Sequence, residues 1–377
     1  MDRSISSTFQ SVSNPSFPSD HAKSLITHGQ QEGLFHLARH QSTRAKQLRR
    51  YFEKKNVRKL FVGANLNGFD MQSPGWEVTT VGAEFFLSRN GTAAEKPRED
   101  LEGSIVLLNN NDLARLGHGS VWSDFQALHD KTLFILWDWD NHHWLEHSVF
   151  CAAHCDLYVP AHQENFYLLS RYNWAIAGPV PTGSVQWSRR FLTENTALLL
   201  SAARSNLPLG MHVPYANFTF RNSVVHTLSS QYPSIGFSTQ NFHFRTPSDR
   251  LQEWGAHKLH WIMPVLNDIP IRIFDALITG GIPIVPASLQ SLTPINSLPR
   301  EHVLFFSPEA VLHPEELVTE GVARFDRGGP DQLIARHRYA LDYHHGTSRI
   351  TEILKHAEDR FGCIMPPQSA VANIDTK

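Results

Sequence analysis

The sequence predicts an α/β protein of two domains, each built on a parallel sheet. Three observations carry this. Short apolar runs recur, each breaking into a polar loop. Helix-length segments separate them. A Pro-, Gly- and Ser-rich stretch, AIAGPVPTGSVQWSRR, divides the chain. Strands buried on both faces read as continuous apolar runs, and parallel neighbours need long crossovers. At 377 residues, each half can bury its own core.

In chain order, residues 1–23 are polar and lack the apolar core of a signal peptide, so a disordered tail is expected. A helical stretch from Ser24 to Lys55 ends in a basic cluster of Arg44, Lys46, Arg49, Arg50, Lys54 and Lys55. That cluster reads as a solvated face, or as loose attraction to anionic lipid. Strands follow at Leu60–Val62, Ile105–Leu108, Leu133–Leu136 and Leu157–Val159. After the linker the expected elements are a strand at Leu198–Ser201, a helix from Asn222 to Ser229 and a strand at Ser234–Phe237. A helix at Asp249–Trp261 and another at Asp268–Ile278 come next. Strands at Ile282–Val285 and Val303–Phe306 and a mostly helical end, Gln332–Arg360, complete the series. The expected domains are 24–184 and 185–360, with 361–377 a second tail.

Composition narrows the function. A net charge of -2 lacks the basic excess of a nucleic-acid binder. Three cysteines make no disulfide framework, so a cytoplasmic setting is expected. No apolar run approaches the roughly 20 residues of a membrane span, which leaves at most peripheral contact with the inner membrane face.

The most informative segment is LNDIPIRIFDALITGGIPIVP, Leu266–Pro286. A helix presents Arg272 and Asp275 near its start, stops at Gly280-Gly281 and runs into a buried strand. A helix N-terminus favours anions, and Arg272 adds a planar cation suited to phosphate. Asp275 is an acceptor for paired ribose hydroxyls. The glycines permit a tight turn and close backbone approach to a ligand. Taken blandly, Arg272 and Asp275 are an i, i+3 helix pair. Arg221 and Lys258 are further phosphate candidates, though each alone is more often a surface residue.

RIFDALITGGIPIVP resembles the donor-site segment of GT-B glycosyltransferases and is most similar to the subgroup related to spore-maturation transferases. The resemblance extends to PLGMHVPYANFTFRN and, weakly, to YHHGTSRITEIL with Arg349, and covers about Ala197–His356. It implies two Rossmann-like domains of the GT-B type facing a central cleft, with the sugar nucleotide held by the second. It also implies an E-x7-E pair, whose positions here are Asn267 and Asp275. The acid at the second position carries ribose binding over. Asn267 at the first leaves the sugar contact and the stereochemical course open.

The strand ending in WDWDNHHW supports three readings. Asp140 or His143 could act as general base on an acceptor hydroxyl, with His162, just after the next strand, a second-tier candidate. Asp138-x-Asp140 could be the metal-holding pair of a GT-A-like transferase. His143-x-x-Glu146-His147 matches an inverted zincin pattern, in a chain whose 22 histidines make chance matches common. His143, His147, Cys151 and Cys155 lie along one helix and span about 18 Å, too far for one zinc. Cys151 and Cys155 read as packing residues.

The function expected is therefore transfer of a sugar from a UDP-, GDP- or CMP-linked donor to a saccharide or glycolipid acceptor, in surface polysaccharide assembly. No cofactor is required on this reading, and a divalent metal stays open. The rivals are the GT-A-like transferase, the zinc hydrolase and a non-catalytic sugar-nucleotide binder.

Overall fold

The computed structural model describes residues 41–66, 75–82, 85–86, 99–114, 119–140, 144–238 and 245–366. The expected tail at 1–23, the start of the first helix, His143 and the chain after 366 lie outside these residues. The first helix is described over 41–52.

Five parallel strands form the first sheet: β1 (Lys59–Gly63), β2 (Glu77–Val81), β3 (Ile105–Asn109), β4 (Leu133–Asp138) and β5 (Leu157–Pro160), in the order β2-β1-β3-β4-β5. Alternate residues feed two cores. Leu60, Ile105, Ile135 and Trp137 face one side, and Phe61, Val106, Phe134 and Leu136 the other. Cys151 and Cys155 pack in the second of these cores. Burial pushes both thiols well up, so neither offers a thiolate.

The second domain holds β6 (Gly210–His212), β7 (Ile235–Phe237), β8 (Leu259–Trp261), β9 (Ile282–Pro286) and β10 (Leu304–Phe306). β7 pairs β6, and β8, β9 and β10 pair in turn, all parallel. A parallel bridge joins the two groups: Leu209 N donates to Leu259 O (2.9 Å) and Trp261 N to Leu209 O (2.7 Å). The order is thus β7-β6-β8-β9-β10, the same 2-1-3-4-5 arrangement as in the first domain. In such sheets the strand order reverses beside the first strand, and the crevice at the carboxyl ends there is where ligands bind.

Several expectations give way. Leu198–Ser201 is not a strand but the end of a helix, Thr196–Ser201. The helix expected over Asp249–Trp261 is Pro247–Gly255, and β8 follows it. The expected second domain and tail also change at the C-terminus. The last helix, Gly346–Phe361, places Ile350, Ile353, Leu354, Ala357 and Phe361 in the first domain's core, against Leu48, Phe52 and Leu60. Residues 361–366 continue that contact: Val57 N donates to Ile364 O (2.9 Å), and Ile364 N donates to Lys55 O (2.8 Å). The chain therefore crosses between the domains twice, and the crossings meet. Ser184 N donates to His344 O (2.7 Å), and Gly346 N donates to Ser184 O (2.8 Å). Gly183 has φ 72°, and a Cβ there would lie 2.4 Å from His344 O, so the close approach requires glycine.

Among the described residues no helix is long and apolar enough to cross a membrane.

Candidate functional site

The carboxyl ends of the two sheets face each other across a cleft of about 460 Å³. Trp139, just past β4, and His162, past β5, reach it from the first domain, and Thr182 and Gln186 reach it from the linker. From the second domain come Val213 and Tyr215 after β6, Met263 and Val265 after β8, and three arginines, Arg221, Arg250 and Arg272. The cleft therefore flanks the switch point between β6 and β8.

The helix Ile271–Ile278 begins at Pro270, whose φ of -66° is already near helical, and points its start at the cleft. Arg272 sits in its first turn and Asp275 one turn on. Arg221 comes from the helix Thr219–Ser229 and is buried. Its Nη1 donates to Val213 O (2.9 Å), its guanidinium lies 5.6 Å from the Tyr215 ring, and its Nε has no partner. No ion pair among the described residues involves Arg221 or Arg272. Burial lowers the pKa of both. That of Arg221 falls to about 10, with the neighbouring charge of Arg272 as the second cause. Asp275 attracts Arg272 and Asp268 attracts Arg221, but the two like charges still repel each other, and an anion between them relieves that cost.

Asp275 is fully buried at the cleft wall. Its Oδ1 accepts from Ser184 Oγ (2.6 Å), a residue of the interdomain crossing. Burial pushes its pKa up to about 7, opposed by the Ser184 hydrogen bond and by the charges of Arg250 and Arg272. Beneath the site, His212 holds the loop after β8. Its ring donates from Nδ1 to Gly210 O (2.8 Å) and accepts at Nε2 from Met263 N (3.0 Å). Burial, then the charges of Arg272 and Arg221, drop its pKa to about 3, so this imidazole is neutral at pH 7.

A polar contact spans the cleft. His162 Nε2 lies 3.4 Å from Asp268 Oδ1 and 3.0 Å from Trp139 O, while its Nδ1 is buried without a partner.

Other sequence candidates sit elsewhere. Asn267 is exposed in the turn before the helix, and its neighbour Asp268 lines the cleft instead. Gly280 and Gly281 turn the chain at the amino end of β9, the opposite end of the sheet from the cleft. There Gly280 (φ 75°) packs on Leu333 and Gly281 on His260, so they serve the turn and not a ligand. Lys258 precedes β8 at that same far end and pairs with Asp326 at 2.6 Å. Lys258→Ala is accordingly expected to change nucleotide affinity by less than about twofold in a titration. Arg349 donates to His344 Nδ1 (2.7 Å) and to Glu352 (2.9 Å) beside the crossing.

Asp140 stands behind Trp139 and does not line the cleft. Its carboxylate accepts from Asn110 Nδ2, and its carbonyl accepts from Asn165 Nδ2 (2.8 Å). The GT-A-like reading of Asp138-x-Asp140 fails on burial. Asp138 is wholly buried, with Oδ2 accepting from Tyr158 (2.5 Å) and Oδ1 from Asp140 N (3.2 Å). Desolvation pushes its pKa up, and both oxygens are engaged away from any cation. The zincin reading loses support as well, since His147 Nε2 is 2.8 Å from Asn110 O and Glu146 is exposed. Among the described residues no three His, Cys, Asp or Glu side chains cluster as metal ligands would.

Ser184, Arg250, Asp268 and Tyr215 escaped the sequence reading. Only Asp268, an acid three residues before the helix start, left a local signal.

Two parallel α/β domains of one strand order, facing across a cleft, with the terminal helix returned to the first, make a GT-B fold of two Rossmann-like domains. No protein-family model and no curated protein sequence matches the chain. Among solved structures it is similar to an alpha,alpha-trehalose-phosphate synthase (UDP-forming) from Burkholderia vietnamiensis. That match has a TM-score of 0.39 and 10% identity, covering 68% of this chain and 72% of that one. It is also similar to an alpha,alpha-trehalose 6-phosphate synthase from Burkholderia multivorans, with a TM-score of 0.40 and 9% identity, covering 81% of this chain and 99% of that one.

Proposed function

We propose that the protein is a glycosyltransferase that binds a nucleotide-sugar donor on its second domain and an acceptor hydroxyl across the cleft. The observation that carries this reading is the pair of guanidiniums, Arg221 and Arg272, neither in an ion pair among the described residues, beside the buried Asp275 at the carboxyl end of the sheet. Two planar cations match a diphosphate, and a carboxylate one helical turn away matches a ribose diol. On transfer, the bond from the sugar carbon to the phosphate oxygen breaks and a bond to the acceptor oxygen forms. The guanidiniums stabilise the charge that accumulates on the departing phosphate, the role a divalent ion fills elsewhere. The acceptor proton passes to a base on the first-domain side, where His162 is the titratable group that lines the cleft. Closure of the domains excludes water that would otherwise hydrolyse the donor.

The finer kinship with spore-maturation-like transferases rests on RIFDALITGGIPIVP. With it comes the proposal of a saccharide or glycolipid acceptor in surface polysaccharide assembly.

A thermal-shift panel of UDP, GDP and CMP, each with Mn²⁺ and with chelator, tests the reading. One nucleoside diphosphate is expected to raise Tm clearly more than CMP does, in chelator as well as in Mn²⁺. If no nucleotide moves Tm under either condition, the reading is wrong.

A further inference from the structure

Ser184 lies where the two passages of the chain between the domains meet, in a parallel bridge with His345. Its N–H donates to His344 O and its carbonyl accepts from Gly346 N, so both backbone groups are committed to the crossing. Neighbouring residues fix the segment further. Val185 packs against the first domain's core and Trp187 lies in the second's, while Thr182 and Gln186 line the cleft.

The side chain, unlike the backbone, reaches the second domain's helix Ile271–Ile278. Ser184 is wholly buried, and its Oγ donates to Asp275 Oδ1 at 2.6 Å. Among the described residues it is the one hydrogen-bond donor to that carboxylate. The other groups acting on Asp275 are charges, Arg250 from the helix Pro247–Gly255 and Arg272 from Asp275's own helix. A charge attracts from any side, whereas a hydrogen bond has a direction and sets how the carboxylate is turned. With Oδ1 engaged by Ser184, the second oxygen is left to accept from a ligand in the cleft that Asp275 lines.

We propose that Ser184 is a positioning residue for the donor: its hydroxyl, held by the interdomain crossing, turns the Asp275 carboxylate so that one oxygen faces the ribose. The proposal rests on the donor reading above. It adds that the ribose contact is completed by the crossing and not by the second domain alone.

The test is calorimetric titration of UDP and of GDP into the full chain and its Ser184→Ala and Ser184→Cys variants, from pH 6 to pH 9. A hydrogen bond to a charged group is worth about tenfold in affinity. Ser184→Ala is expected to bind about tenfold more weakly at pH 7, with the gap narrowing towards pH 9, because without the hydroxyl Asp275 keeps its proton to higher pH. Ser184→Cys, near in size but a weaker donor, should fall between, and it carries the test if the alanine variant does not fold. A packing role alone would lower affinity by the same factor at every pH. On the far side of the crossing Arg349 pairs with Glu352, and burial lowers the pKa of His344 to about 3 and of His345 to about 4, so neither imidazole titrates in this range. Urea unfolding reads the same pair without ligand. The stability lost in Ser184→Ala should be larger at pH 9 than at pH 5, and equal at both in an Asp275→Asn background, where Arg221, His162 and Asp268 of the cleft remain. A loss uniform across pH, or unchanged affinity, overturns the proposal and leaves the donor reading standing. A parent protein that binds neither nucleotide overturns both.

Discussion

Replacing Arg272 by alanine is expected to weaken nucleoside-diphosphate binding by about 10- to 100-fold while leaving the unliganded protein as stable as before. A hydrogen bond to a charged group contributes about 1.5–3 kcal/mol, and each 1.4 kcal/mol is tenfold in affinity. The second half of the expectation separates a ligand-binding arginine from a structural one. Arg272 has no ion pair among the described residues and sits close enough to Arg221 to lower its pKa. Removing it forfeits an attraction to Asp275 and relieves a repulsion with Arg221, two effects of opposite sign, so the stability of the free protein should change little. Arg272→Lys should restore only part of the affinity, because an ammonium lacks the planar fork. In the double variant with Arg221→Ala, the losses should fall short of additivity, since both groups act on one phosphate unit. Calorimetry at fixed ionic strength, paired with melting curves of the free protein, checks all of this. A loss below about threefold, or one matched by an equal fall in Tm, would place Arg272 outside the binding machinery.

The helix Ile271–Ile278 also shows which placements a sequence conveys and which it does not. Arg272 and Asp275 were legible because they lie within one turn of a helix start, and local geometry alone orients such residues together. Gly280 and Gly281 belong to the same segment but mark the other end of an eight-residue helix, about 12 Å away at 1.5 Å per residue. A ligand at one end of that rod cannot touch the other. Lys258 failed for the same reason, being on the amino side of β8. Asp140 was misread by a single residue: strand alternation buries Asp138, leaves Trp139 to face the cleft and turns Asp140 back towards Asn110 and Asn165.

Fold elements follow a similar rule. β3, β4 and β5 were legible because burial on both faces writes them as unbroken apolar runs. The edge strand β2, EVTTV, has four exposed residues, and β6, GMH, has only three in all, so neither carries a pattern. The LLL of Thr196–Ser201 is helical, and an apolar run so short fits either state. Ser184 was beyond reach altogether. Its hydroxyl meets Asp275 only because two crossings, 160 residues apart in sequence, hydrogen-bond at the same point.

That crossing makes Asp275 the site of the second large effect. Its pKa of about 7 in the folded protein stands well above the usual carboxylate value of about 3.9. Between about pH 4 and pH 7 the folded chain therefore keeps a proton that the unfolded chain has released. The stabilisation is complete below pH 4, declines as pH rises, and is gone above about pH 7, a swing on the order of 4 kcal/mol. Asp275→Asn retains the oxygen that accepts from Ser184 but cannot ionise. The variant is thus expected to match the parent near pH 4 and to exceed it by a few kcal/mol at pH 8, read as the difference between urea-unfolding curves so that other groups cancel. Nucleotide binding should move the opposite way. Ribose hydroxyls donate to the ionised carboxylate, so the parent's affinity drops about tenfold per pH unit below 7, and the asparagine variant binds weakly at every pH. The two predictions are coupled, because Arg272 opposes the rise in the Asp275 pKa. In Arg272→Ala the upper edge of the pH window should move upwards, while the lower edge, set by the unfolded chain, stays near pH 4. A stability difference that stays flat from pH 4 to 8, or widens towards acid, would show that Asp275 is not the buried carboxylate holding this proton.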